Sequence, residues 1–188
     1  KSFAVTVVFV VSAFGYAENA AARHQSSSRG SGYSSTIQKK INTLDEDKVD
    51  TFEIPVLFGV ALSDISSNYG DPRDGGARLH EGLDIMGKLG TPIVSPTEAV
   101  VTSVGDGDSS GKYVRTANPG GENFVYMHLD DHANIKSGDL LKVGDYIGTV
   151  GVTGNAKGGP AHLHFEVRDG REATDPYPRV GKEFTLEE

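Results

Sequence analysis

The stretch AHLHFEV, Ala161 to Val167, reads as a β-strand. Its residues are apolar, β-branched and aromatic, and it runs into the turn-like Arg168-Asp169-Gly170. His162 and His164 stand two apart, and in a strand residues i and i+2 share a face. One face of this strand therefore presents two imidazoles side by side. A strand that carries chemistry points to a β-fold, and the surrounding text agrees.

From Phe52 onward the chain is a series of strand-like pieces separated by Gly, Pro, Asn and Asp turns. They are IPVLFGVAL (54–62), GLDIM (82–86), TPIVSP (91–96), EAVVTSVG (98–105), KYVRTAN (112–118), NFVYMHL (123–129), YIGTVGVTG (146–154) and HLHFEVR (162–168). No strong helical period lies between them. The predicted fold class is mainly β, with an antiparallel sheet rather than a βαβ arrangement.

The 188 residues suffice for one domain with a real core and some extra segments. Cysteine is absent, which excludes disulfides, thiolate metal sites and a cysteine nucleophile. A metal site must then use His and carboxylates. The net charge of −8 and the lack of a Lys/Arg run argue against nucleic acid as a partner.

Four segments are expected. Residues 1–17 hold Lys1, an apolar run from Phe3 to Phe14 and the small-residue pattern Gly15-Tyr16-Ala17. The run is short for a membrane span and suits the apolar region of a secretory signal, so export to the periplasm or cell envelope is expected. A retained membrane anchor or a buried strand is the competing reading. Residues 18–51 read as a linker, rich in Ser, Gly and Ala up to residue 35. Ile37, Ile41 and Leu44 are spaced for a short helix within it. The globular domain covers 52–180, and 181–188 form a tail.

Six histidines occur: His24, His80, His128, His132, His162 and His164. His24 sits in the linker and His132 follows Leu129-Asp130-Asp131 in a loop, so both read as surface residues. In RLHEGLDIM, His80 and Asp84 are four apart, a spacing that shares a face in a helix or an extended strand. Gly82 favours the extended version. Taken singly, a His-x-His or a His-x-x-x-Asp is more often structural than metal-binding. Together they can supply three ligands and leave one imidazole over. A catalytic zinc uses three protein ligands and an open position, and the spare imidazole can carry protons near neutral pH.

HEGLD, YMHLD and AHLHFEV occur in that order, and these motifs resemble those of the lysostaphin-type zinc endopeptidases, which cleave peptide bonds in bacterial peptidoglycan. The likeness extends over about residues 52 to 178, through YGDPRDGGARLHEGLDI, GTPIVSPTEAVVTSVG, GKYVRTANPGG and IKSGDLLKVGDYIGTVGVTGNAKGGPAHLHFEV. It implies a grooved antiparallel sheet with one Zn²⁺ in the groove floor. Carried over by position, it places the zinc ligands at His80, Asp84 and His164. It makes His162 a general base or proton relay, and gives His128 the positioning or polarising of the water or the tetrahedral oxyanion. By chemistry alone, either His128 or His162 could take the water proton. The loop GVTGNAKGGP (151–160) corresponds to a cleft wall in the family, with a tight Gly-rich connection as the simpler reading. Tyr69, Arg73 and Tyr126 are candidates for the groove lining, against the commoner roles of packing and surface exposure.

The resemblance implies peptidoglycan stems or cross-bridges as the partner. The same family includes degenerate members that activate cell-wall amidases without catalysis, but those have usually lost metal ligands, and none of the five positions is substituted here. A wall-binding module ranks last, since no separate repeat or aromatic-rich segment is visible. Which cross-link is cut depends on loop shape. The negative charge offers no long-range attraction to anionic wall polymers, which favours a thin, unmodified wall.

Overall fold

The computed structural model describes residues 32–66 and 68–181. The signal or anchor expected at 1–17, the linker up to 31 and the tail beyond 181 lie outside the described residues. Among the described residues, no helix is long and apolar enough to cross a membrane.

A short helix, α1 (Ser35–Ile41), opens the described chain, with the Ser34 hydroxyl accepting from the Ile37 backbone N–H at its start. It ends before Leu44. Lys40 Nζ donates to the Gly138 carbonyl at 2.5 Å, Lys48 pairs with Asp169 at 2.8 Å, and Val49 packs against the core. Part of the stretch assigned to the linker is thus seated on the sheet domain.

Twelve strands follow: β1 (Ile65–Ser66), β2 (Pro72–Arg73), β3 (Arg78–Leu79), β4 (Leu83–Met86), β5 (Pro92–Val94), β6 (Ala99–Gly107), β7 (Gly111–Ala117), β8 (Glu122–Leu129), β9 (Leu140–Leu141), β10 (Tyr146–Thr149), β11 (His162–Asp169) and β12 (Glu172–Thr174). The main sheet runs in the order β1-β4-β11-β8-β7-β6-β9, with β12 paired to β11, and every strand pair is antiparallel. β5 pairs with β10, and β2 with β3.

Alternation along the central strands divides the sheet into two faces. Leu163, Phe165 and Val167 of β11, Leu83 and Ile85 of β4, and Phe124 and Tyr126 of β8 are buried on one side. There Phe165 meets Phe52, Phe124 and Tyr126 with ring centroids 5.9, 5.4 and 5.3 Å apart. Ile93 of β5 and Ile147 of β10 complete the same core. Burial of a Leu, Ile or Phe side chain stabilises by about 1.5–3 kcal/mol, so this face fixes the register. The opposite face of β11 then carries His162, His164, Glu166 and Arg168.

Gly82 shows why the HEGLD turn needs glycine. A Cβ there would collide with the backbone carbonyl of Phe165. The absence of a side chain lets the chain enter β4 flush against β11. The register that results sets Asp84 directly opposite His164.

Candidate metal centre and active site

Three elements bring the ligand-type side chains together. His80 follows β3, Asp84 stands on β4 and His164 on β11. One ligand atom from each lies within 4.8 Å of the others. His80 Nε2 is 2.9 Å from His164 Nδ1 and 3.1 Å from Asp84 Oδ1, and His164 Nδ1 is 2.9 Å from the same oxygen. Both imidazoles are buried.

Each ring has an oxygen behind its outward nitrogen. His80 Nδ1 lies 3.0 Å from the Asn68 backbone carbonyl. His164 Nε2 donates to Glu166 Oε1 at 3.2 Å. The two inward nitrogens, His80 Nε2 and His164 Nδ1, face one another and one carboxylate oxygen. A proton or a metal ion at the centre joins such a cluster. Two imidazole nitrogens and one carboxylate oxygen, with each ring held from behind by an oxygen acceptor, fit a catalytic Zn²⁺ site with an open position.

Electrostatics agree with this. Burial opposes ionisation of Asp84, but hydrogen bonds from His164 and His80 outweigh it and hold the carboxyl well below its usual range. Its second oxygen lies 3.6 Å from Arg73. Burial likewise opposes the His164 cation. Asp84 and Glu166 more than compensate and raise that imidazole to about 8. Glu166 is kept ionised against its burial by His164 and Arg168. Arg168 Nη1 reaches Glu166 at 2.7 Å and Glu81 at 2.9 Å, which closes the network.

His128 and His162 stand on the same side, with ring centroids 5.1 Å apart. His162 Nδ1 donates to the Pro160 carbonyl at 2.9 Å, and its Nε2 lies 3.8 Å from Asp84 Oδ1. His128 Nδ1 donates to the Thr153 carbonyl at 3.0 Å. Both rings thus offer an Nε2 lone pair. Burial, aided by His162 and His164, depresses His128 to about 4, so it is neutral at physiological pH.

His128 reaches the site through a local irregularity. In β8, Phe124 and Tyr126 face the core, and strict alternation would send His128 there too. Instead the register slips between Lys112 and Val114 of β7, and His128 adopts φ 64°. The left-handed residue turns its imidazole to the open face while Leu129 returns to the core. Thr153 fastens the slip: its hydroxyl accepts from Lys112 N at 3.0 Å and donates to the Leu129 carbonyl at 2.8 Å. Gly111, at φ 59°, leaves no room for a Cβ against that same Thr153.

All five residues line one cleft of about 850 Å³. Asn155 and Ala156 of the Gly-rich loop and Arg73 line it as well. Tyr69 turns away, its hydroxyl donating to the Ala173 carbonyl at 2.7 Å, and Tyr126 is wholly buried in the core. His132 is half-buried, with Nδ1 bonded to the Ala133 carbonyl at 3.2 Å, and does not line the cleft. His24 lies outside the described residues. The reading of the sequence did not single out Glu166, Thr153 or the acceptor carbonyls of Asn68 and Pro160. Of these only Glu166 left a signal, a carboxylate two residues beyond His164 in the same strand.

The model of peptidase family M23 matches residues 78–176, and the chain belongs to that family. It is 33% identical over 125 residues to the L-Ala–D-Glu endopeptidase of Bacillus subtilis (strain 168), covering 61% of this chain and 38% of that protein. It is 33% identical over 106 residues to the peptidoglycan DD-endopeptidase ShyC of Vibrio cholerae, covering 54% of this chain and 24% of the relative. The chain therefore spans well under half the length of these curated relatives. The solved catalytic domain of the antimicrobial peptidase lysostaphin from Staphylococcus simulans superposes with a TM-score of 0.54 at 29% identity, over 62% of this chain and 92% of that one. The mainly antiparallel β-fold is that of these peptidases.

Proposed function

We propose that the chain is a zinc-dependent endopeptidase that hydrolyses peptide cross-links of bacterial peptidoglycan, exported to the cell envelope where that substrate lies. The observation that carries the reading is the convergence of His80 Nε2, Asp84 Oδ1 and His164 Nδ1 in a cleft where two further imidazoles present lone pairs. Membership of a metallopeptidase family and likeness to two cell-wall endopeptidases support it.

His80, Asp84 and His164 would hold the ion. When bound, Zn²⁺ supplies Lewis acidity, which makes a water nucleophilic near neutral pH and polarises a peptide carbonyl. The chain's own residues do the rest. His128, neutral and tied to the Thr153 carbonyl, can accept a hydrogen bond and so orient the attacking water. His162, on the more open side of the pair, takes the proton at Nε2 and returns it to the departing amine nitrogen. Pro160 fixes its ring for both transfers. His164 and His80 keep Asp84 ionised, and Arg73 lies 3.6 Å from its second oxygen.

The test combines metal content and turnover. The full chain should bind one equivalent of Zn²⁺ and cleave a synthetic cross-linked stem peptide. Chelator should abolish cleavage and Zn²⁺ restore it. His162→Ala should keep the metal and lose cleavage by about 10²-fold or more. A zinc-loaded, folded chain that cuts no stem or bridge peptide would refute the assignment.

A further inference from the structure

The cleft continues from the metal centre along the open face of the sheet into a second hollow of about 590 Å³. Its cations and carboxylates are not balanced alike. Glu81 and Glu166 both line it, and both are engaged by Arg168 at 2.9 and 2.7 Å. Arg115 lines both hollows and is solvent-exposed. Among the described residues no carboxylate lies within ion-pair distance of it. Its guanidinium carbon lies 5.4 Å from the centroid of the Tyr113 ring. Arg73, Arg78, Arg168 and Arg179, by contrast, each have an acidic partner, while Arg171, also without one among the described residues, lines only the second hollow.

The register gives Arg115 its place relative to the chemistry. It pairs with Val125 of β8, and Val125 pairs with Glu166 of β11. All three side chains therefore stand on the open face, one row along from the row that joins Met127, His164 and Asp84. Two strand spacings and one two-residue step put its Cα roughly 12 Å from that of His164. An extended peptide advances about 3.3 Å per residue, so Arg115 meets a substrate roughly two to four residues from the cut bond. Tyr113 supports the guanidinium from one side and leaves its planar fork to solvent.

A chain of net charge −8 that keeps an unneutralised arginine where its two hollows meet is arranged for an anion there. We propose that Arg115 is the specificity-determining residue of this cleft and that it binds a free carboxylate of an acidic peptide substrate. The inference rests on the endopeptidase reading and deepens it. Among wall peptides it selects stems whose glutamate α-carboxylate is free over those in which it is an amide, and over uncharged glycine bridges. Arg168 does not compete for that carboxylate, because Glu81 and Glu166 occupy it.

The test measures binding, with cleavage followed in parallel. Two synthetic cross-linked stem peptides, identical except that the glutamate α-carboxylate is free in one and an amide in the other, are titrated into the full chain and its Arg115→Gln and Arg115→Lys variants. The wild-type chain should bind the carboxylate form about 10- to 100-fold more tightly than the amide, with the difference shrinking as salt is raised. Arg115→Gln should bring the ratio to near one, and Arg115→Lys should keep part of it. An unchanged ratio in Arg115→Gln, a wild-type ratio near one, or no binding of the carboxylate form would each overturn the proposal. Cleavage reports separately. Both peptides cut without discrimination would leave the endopeptidase reading standing and remove this one. Discriminating binding without cleavage would do the reverse.

Discussion

Glu166 accepts the Nε2–H of His164 at 3.2 Å from two positions further along the same strand. That single bond fixes which nitrogen of His164 turns toward His80 and Asp84. It also explains why the strand carries His-x-His-x-Glu on one face. In the proposed mechanism the first imidazole handles protons, the second is a metal ligand, and the carboxylate orients that ligand.

Removing that carboxylate should loosen the centre. Glu166→Gln retains the shape, but an amide is a weaker acceptor and can present its NH₂ to the ring. Metal affinity is expected to fall about 10- to 100-fold, read by competition against a chromophoric chelator. Arg168 also loses one of its two partners, so a modest drop in melting temperature should accompany the loss.

Metal binding should release a proton at neutral pH. In the metal-free chain His164 is held at about 8, so at pH 7 it carries a proton that the ion must displace. Calorimetry in two buffers of different ionisation heat should show close to one proton released per ion at pH 7. Apparent affinity should rise about tenfold per pH unit until it levels above about pH 8. The same proton stabilises the metal-free fold. Because the folded value lies above the ordinary 6.5, that contribution is complete below about 6.5 and is lost as pH rises through about 8. A metal-free melting temperature that does not fall across this interval would contradict the assignment.

The scaffold behind Asp84 should tolerate no side chain at residue 82. Gly82→Ala drives a methyl into the Phe165 carbonyl, so β4 and β11 must separate where the ligands meet. A loss of about 2 kcal/mol or more is expected, measured by urea unfolding of the metal-free chain, together with weaker metal binding. Wild-type stability would show that the turn has room that the structure does not provide.

Thr153 offers a way to separate the two halves of the site. Thr153→Val removes the hydroxyl that joins Lys112 N to the Leu129 carbonyl, so the left-handed turn at His128 loses its fastening. His80, Asp84 and His164 are untouched. Metal affinity should stay within about threefold while kcat falls about tenfold. Equal losses of both would mean that the slip in β8 supports the metal centre as well.

The sequence carried the sheet because its buried faces alternate cleanly: Leu163, Phe165 and Val167 alternate with His162, His164 and Glu166. The pairing of His80 with Asp84 was legible because a spacing of four aligns side chains in an extended chain as well as in a helix. The entry of His128 was not legible from alternation, which would bury it beside Tyr126. Only the slip against β7 and the positive φ turn it outward, and neither leaves a mark in NFVYMHL. The acceptors at Asn68, Thr153 and Pro160 are backbone carbonyls, which have no residue signature at all. Nor could composition show that Lys40, Lys48 and Val49 anchor a stretch that reads as linker. Their partners at Gly138, Asp169 and the core lie about 90 residues or more away in most cases, and such contacts appear only once the chain is folded.

Digestion of intact peptidoglycan sacculi by the full chain, with Zn²⁺ and with chelator, and with mass spectrometry of what is released, tests the central claim most directly. Zinc-dependent release of fragments with new peptide termini, absent in His162→Ala, is the expected result, and those termini identify the bond. Intact sacculi after incubation with folded, zinc-loaded protein would contradict it.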